Sequence, residues 1–259
     1  MSKKIVRKSE YLNAVAKLAK NGCSLYSPYQ EEGVKWLLKH ERRYSGGMLC
    51  DEMGLGKTIQ IIGLILGSQL KTTLLVLPAS LLIQWKEQIE KFAGSFVEAK
   101  IYHGSNRTLE INKMKKQVII TSYNLIINDN VKLKTIEWDR IILDECHYIR
   151  NPKSRIFQSI SKIPALKKWG ITGTPIQNYV ADIETLFKFL GYSKDFIKIN
   201  LEKLISNHIL RRTKDDVKQY NKILELPERT VNNIRIRIKS KERGLYNSIK
   251  DLDVCYLER

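Results

Sequence analysis

The sequence predicts an α/β fold built on a mainly parallel sheet, and three observations lead there. Short apolar runs alternate along the chain with helical patterns. Those runs lack strand-like alternation, as expected of parallel strands covered on both faces. A glycine-containing loop follows the first run and opens an apolar helix, a strand–loop–helix arrangement typical of such sheets.

The expected strands are residues 47–50, 73–77, 117–121, 140–143 and the short 170–172, with 97–103 as a further candidate. Between them, residues 58–66 form the apolar helix after the glycine loop. Ser80 is placed to cap a helix running to Phe92, with Leu82, Trp85, Ile89 and Phe92 at helical spacing. Residues 182–190 predict another helix, ended by Gly191. Beyond Lys203 the texture turns basic. Ile234, Ile236 and Ile238 alternate with Arg235 and Arg237 like a half-exposed strand, and residues 245–257 read as a terminal helix. A boundary is expected near residue 200, giving a basic extension at 1–24, a main α/β lobe at 25–200 and a linking segment at 201–259.

Composition narrows the classes. The chain has 259 residues, 43% hydrophobic and 28% charged, which excludes whole-chain disorder. The most apolar stretch, residues 59–70, is far short of the ~20 residues that span a bilayer. Cys23, Cys50, Cys146 and Cys255 are scattered without a C-x-x-C pair, favouring reduced intracellular thiols over disulfides or a zinc site. Lys and Arg number 45 against 27 Asp and Glu, a formal charge of +18 that suggests a polyanionic partner. Drift towards lysine would give the same number.

Chemistry concentrates in three segments. Asp51-Glu52-Met53-Gly54-Leu55-Gly56-Lys57-Thr58 has the glycines that let a backbone approach phosphates. It also has a lysine for the β- and γ-phosphates and a hydroxyl for Mg²⁺. Asp51 stands where the common motif has its first glycine. Asp144, Glu145, Cys146 and His147 place two carboxylates at the end of an apolar run, a costly position unless a cation or substrate uses them. In a phosphate-loop ATPase the first acid serves the metal and the second the attacking water. Thr172-Gly173-Thr174 follows, a turn able to sense the γ-phosphate; by itself it is only a turn.

Taken in order, these segments resemble the first RecA-like lobe of a SWI/SNF-type ATPase of helicase superfamily 2. Residues 26–36, with Gln30 as the base contact, resemble the adenine-reading Q motif. Residues 51–58 resemble motif I, which in that family tolerates aspartate first. Residues 77–85 resemble motif Ia, 120–123 the next nucleic-acid-tracking motif, 144–147 the DExH box and 173–178 motif III. Residues 209–214 and 226–229 resemble the segment leading to the second lobe. Cys50 and Cys146 replace small residues, commonly alanine, without loss of chemistry.

The resemblance implies a three-layer RecA-like sandwich, ATP and Mg²⁺ as cofactors, and translocation on double-stranded DNA, in chromatin or beside other DNA-bound protein. Pro78, Ala79, Ser80, Thr121 and Ser122 would touch DNA phosphates, unless they only cap strands and helices. Arg211 and Arg212 would contact DNA or dock the connecting segment on the lobe. A second lobe with an arginine finger is expected but absent, so hydrolysis by this chain should be weak. Two other readings stand beside the motor: a naturally half-length binding module for nucleotide and DNA, and an unrelated phosphate-loop kinase or GTPase. Nuclear placement follows from the resemblance, or a site of viral DNA replication if the Lys-, Ile- and Asn-rich composition reflects a viral genome.

Overall fold

The computed structural model describes residues 2–25, 27–105, 107–173, 180–218, 243–244 and 246–247. The chain divides into two compact units, Met1–Ile223 and Leu224–Arg259. In the second unit only the last four of those residues are described. The expected strand at 234–238 and segment 226–229 lie outside the described residues, as does most of the expected terminal helix.

The first unit is an α/β sandwich. Helices α1 (Ser2–Lys20) and α2 (Ser27–Arg43) precede strand β1 (Gly46–Leu49) and helix α3 (Lys57–Gly67). Then come β2 (Thr72–Leu77), α4 (Leu82–Ala93), β3 (Glu98–Ile101), β4 (Gln117–Ser122) and α5 (Tyr123–Lys134). Strand β5 (Trp138–Asp144), α6 (Arg155–Ser161), β6 (Ala165–Ile171) and α7 (Val180–Phe189) follow. The described part closes with α8 (Lys194–His208), β7 (Ile209–Leu210) and α9 (Lys214–Lys218). The strands form one seven-stranded sheet in the order β3-β4-β2-β5-β6-β1-β7, with every pairing parallel.

Because side chains alternate across a strand, each buried strand feeds two cores. Leu75, Leu77, Val118, Ile120 and Ile142 pack with α1 to α4 on one face. Leu74, Val76, Ile119, Ile141 and Leu143 pack with α5 to α8 on the other. That double coverage explains why the strands read as unbroken apolar runs.

Three sequence expectations meet a different arrangement. The stretch expected as a basic extension carries α1, whose Ala14 and Leu18 are buried in the first core. Residue 200 falls inside α8, at a local break at Asn200, and β7 beyond it joins the sheet beside β1. Ser80 sits within a short 3-10 turn, Ala79–Leu81, before α4, which has no side-chain cap. Among the described residues, no helix is long and apolar enough to cross a membrane.

Candidate nucleotide site

Strands β5, β6 and β1 are neighbours, and their carboxyl ends deliver three chemical segments to one edge of the sheet. The end of β1 leads into residues 51–56 and the N-terminus of α3, where free backbone N–H groups favour anions. Gly54 and Gly56 hold φ of 91° and 71°, and the left-handed Gly56 immediately precedes Lys57. Lys57 Nζ donates to the carbonyls of Asp51 (2.9 Å) and Glu52 (3.4 Å), folded onto its own loop. The Thr58 hydroxyl makes no hydrogen bond among the described residues.

The rest of the loop is braced from below. Asp51 is fully buried, and its carboxylate accepts from Gln60 Nε2 at 3.1 Å and from Arg212. Glu52 Oε2 accepts the Lys214 backbone N–H at 2.8 Å, while Met53 is exposed. Leu55 is buried, and its carbonyl accepts from the buried Gln30 amide at 3.3 Å. Gln30, the expected base contact, thus lies directly against the loop.

The end of β5 supplies the acids. Asp144 Oδ2 accepts the Trp85 indole N–H at 2.7 Å, and Oδ1 accepts the Glu145 backbone N–H at 3.0 Å. Desolvation pushes the Asp144 carboxyl above its ordinary range against the opposing Trp85 hydrogen bond, and the Glu145 charge adds to the rise. Glu145 is the one described non-glycine residue with positive φ, at 50°. This costly geometry turns the chain into the short helical turn Cys146–Ile149. Glu145 Oε2 accepts from the Thr172 hydroxyl at 3.4 Å and lies 3.2 Å from His147 Nδ1, a close approach without hydrogen-bond alignment. Cys146 and Cys50 are buried, and burial raises both thiols, Cys50 to about 12, so each packs as a neutral, small apolar group.

The end of β6 brings the turn expected to sense the γ-phosphate alongside. A Cβ added at Gly173 would stand 2.8 Å from Met53 Cγ and 3.6 Å from Lys57 Nζ, so the absence of a side chain lets this turn lie on the loop. Thr174 and the remainder of the expected motif, through residue 178, lie outside the described residues.

The residues expected to meet DNA divide. Pro78 is half-buried and Ala79 and Ser80 are exposed at the carboxyl end of β2. Thr121 is fully buried and donates to the Tyr102 carbonyl at 2.9 Å, so its side chain cannot touch a duplex. Ser122 caps α5 by accepting the Leu125 N–H at 3.3 Å. Arg211 is exposed, whereas Arg212 is turned inward onto Asp51. Patterning alone overlooks the contacts of Trp85 and Tyr123, because buried aromatics read as core, and that of Gln60, because no local pattern marks a polar residue inside an apolar helix.

Residues 29–195 match the family model described as the SNF2-related domain. An uncharacterized ATP-dependent helicase of Mycoplasma pneumoniae is 34% identical over 247 residues, covering 86% of this chain and 23% of that protein. The DNA excision repair protein ERCC-6-like of Danio rerio is 35% identical over 260 residues, covering 82% of this chain and 18% of its own length. Among solved structures, the Sulfolobus solfataricus SWI2/SNF2 ATPase core in complex with dsDNA aligns with a TM-score of 0.65 and 31% identity. The alignment covers 78% of this chain and 46% of that one. The chain therefore spans less than a quarter of the length of these two curated relatives. Since one of them is bacterial, nuclear placement does not follow from similarity.

Proposed function

The chain belongs to the SNF2-related family, and on that premise we propose that it is the nucleotide-binding lobe of an ATP-driven motor acting on double-stranded DNA. The observation that carries this reading is the convergence of Lys57, Asp144, Glu145 and Gly173 at the carboxyl ends of three adjacent strands. The donor set suits ATP·Mg²⁺. A desolvated carboxylate at Asp144 has no ion-pair partner among the described residues, and Thr58 offers an uncommitted hydroxyl.

In this reading Lys57 and the first N–H groups of α3 bind the phosphates, and Thr58 and Asp144 hold the metal. Bound Mg²⁺ would neutralise charge on the phosphates. Glu145 orients the attacking water and takes its proton, with Oε2 steadied by Thr172 and Oε1 left to accept. Ala79, Ser80 and Arg211 are exposed and available to duplex phosphates, which position a protein without reading sequence. Chromatin or another DNA-bound assembly is the expected setting, in a nucleus where the cell has one.

The test is ATP binding and hydrolysis measured with and without duplex DNA. Metal-dependent ATP binding and duplex-stimulated turnover support the motor. Binding of both ligands without turnover, in a form as long as the relatives, points instead to a half-length binding module. Failure to bind ATP overturns the site.

A further inference from the structure

Two buried aromatic side chains grip Asp144, one from each face of the sheet: Trp85 packs in the core shared with α3, Tyr123 in the core of the other face. Trp85 on α4 donates its indole N–H to Oδ2 at 2.7 Å. Tyr123, the first residue of α5, donates its phenol to the Asp144 backbone carbonyl at 2.7 Å. One contact fixes the side chain and the other fixes the backbone. The Tyr123 ring also stacks on Tyr148 at 4.9 Å and an interplanar angle of 5°. That joins the start of α5 to the turn following the acids.

The strand order gives these contacts a direction. Strands β4, β2 and β5 are consecutive, and β6 and β1 lie beyond β5. Trp85 follows the exposed turn at the end of β2, and Tyr123 follows Ser122 at the end of β4. Asp144 at the end of β5 therefore lies between the exposed turn after β2 and the nucleotide loop, with the buried start of α5 holding its backbone. The other indoles whose hydrogen bonds are described have inward roles: Trp138 donates to the Leu133 carbonyl and Trp169 to the buried Glu41.

We propose that Trp85 and Tyr123 are positioning residues for Asp144: a duplex on the β2 turn sets the orientation of its carboxylate through Trp85, while Tyr123 holds the backbone that carries it. This rests on the nucleotide- and DNA-binding reading above. A tightly packed indole moves with its helix rather than independently, so a small shift of α4 realigns a 2.7 Å bond to a carboxylate. Hydrogen bonds to a charged acceptor are strong enough for their alignment to change binding at the acid roughly tenfold.

The test uses the chain labelled with 5-fluorotryptophan, whose four tryptophans give separate fluorine resonances, with Trp85→Phe assigning one. A short duplex is titrated without nucleotide or metal while fluorescence anisotropy follows binding. The Trp85 resonance is expected to shift at saturation, with those of Trp138 and Trp169 unmoved. A Trp85 resonance that stays in place while anisotropy saturates overturns the proposal. Absence of any anisotropy change instead sinks the DNA-binding reading, and this proposal with it. In a second arm, Tyr123→Phe keeps the ring and its stack but removes the donor. The ratio of affinities for a non-hydrolysable ATP·Mg²⁺ analogue with and without duplex should fall several-fold towards one. A ratio equal to that of the unmodified chain removes Tyr123 from the path.

Discussion

Arg212 closes the base of the phosphate loop on Asp51. Its Nε lies 3.0 Å from Oδ1 and its Nη2 2.5 Å from Oδ2, a two-pronged pair in which the aspartate is fully buried. The same guanidinium donates to Gln60 Oε1 at 2.9 Å and to the Tyr29 carbonyl, joining α2, α3, the loop and the segment after β7. An aspartate in place of the usual glycine thus has a physical explanation: its carboxylate anchors the chain that leaves the lobe.

Removing either partner strands the other. Arg212→Ala leaves Asp51 buried without its cation, and a loss of about 3–5 kcal/mol is expected in denaturant unfolding. Arg212→Lys keeps the charge but not the planar fork, and should recover only part of that loss. A cost below about 1 kcal/mol for the alanine variant, typical of an exposed pair, would falsify the anchoring role.

The loop lysine should separate binding from stability. Among the described residues the Lys57 ammonium donates to carbonyls of its own loop, so Lys57→Ala is expected to change unfolding by about 1 kcal/mol or less. Calorimetric ATP binding should disappear in the same variant. An unchanged isotherm rejects the phosphate assignment.

Glu145 should separate binding from turnover. In a form that hydrolyses ATP, Glu145→Gln is expected to retain nucleotide affinity while the rate falls by roughly 10²–10⁴. A variant that still turns over at the original rate removes Glu145 as the base.

The strands and the course of the glycine loop were legible because local rules govern them. Unbroken apolar runs, loop glycines and paired acids each carry their meaning within a few residues. What escaped depends on partners distant in sequence. Asp51 and Arg212 are 161 positions apart, and no local pattern distinguishes an arginine that docks from one that meets DNA. Trp85 and Phe92 share one helical stripe, yet only the fold shows that Trp85 also reaches Asp144. Thr121 lies in a motif that resembles a DNA-tracking segment, but strand alternation turns its side chain into the sheet's covered face.

A second buried pair sets the acid limit of the fold. Arg140 and Glu41 are joined by two 2.7 Å bonds, and Glu41 also accepts from Ser68 at 2.7 Å and Trp169 at 3.0 Å. Burial alone would raise the Glu41 carboxyl, but the Arg140 charge and these hydrogen bonds hold it below 4.5. A depressed carboxylate contributes stability above its unfolded value and loses it as pH falls through the folded one. Thermal unfolding should therefore weaken steeply below pH 4.5, with Glu41→Gln flattening that limb at a lower overall stability. A limb of unchanged steepness assigns acid unfolding to other groups.

The histidine pair beneath β1 acts at higher pH. His40 Nε2 lies 3.0 Å from His208 Nδ1, and both face the Gly46 carbonyl, at 3.0 and 3.2 Å. Tyr192 closes the far side of His208 at 2.8 Å, and Trp36 stacks on His40 at 4.5 Å. Facing nitrogens can share one proton, whereas charging both rings would set two donors against each other. Burial, then the His208 charge, lowers His40 from 6.5 to about 4 despite the Gly46 hydrogen bond, and nearby Lys167 adds to the fall; burial lowers His208 as well. With folded values below unfolded ones, the folded state binds fewer protons, so stability is present above pH 6.5 and is lost as pH falls towards 4. The His40 contribution is on the order of 3 kcal/mol across that span. Melting temperatures should already fall between pH 6.5 and 5, above the Glu41 window. His40→Phe, which keeps a ring against Trp36, should remove most of that slope. A variant with the same slope shows that the pair does not control it.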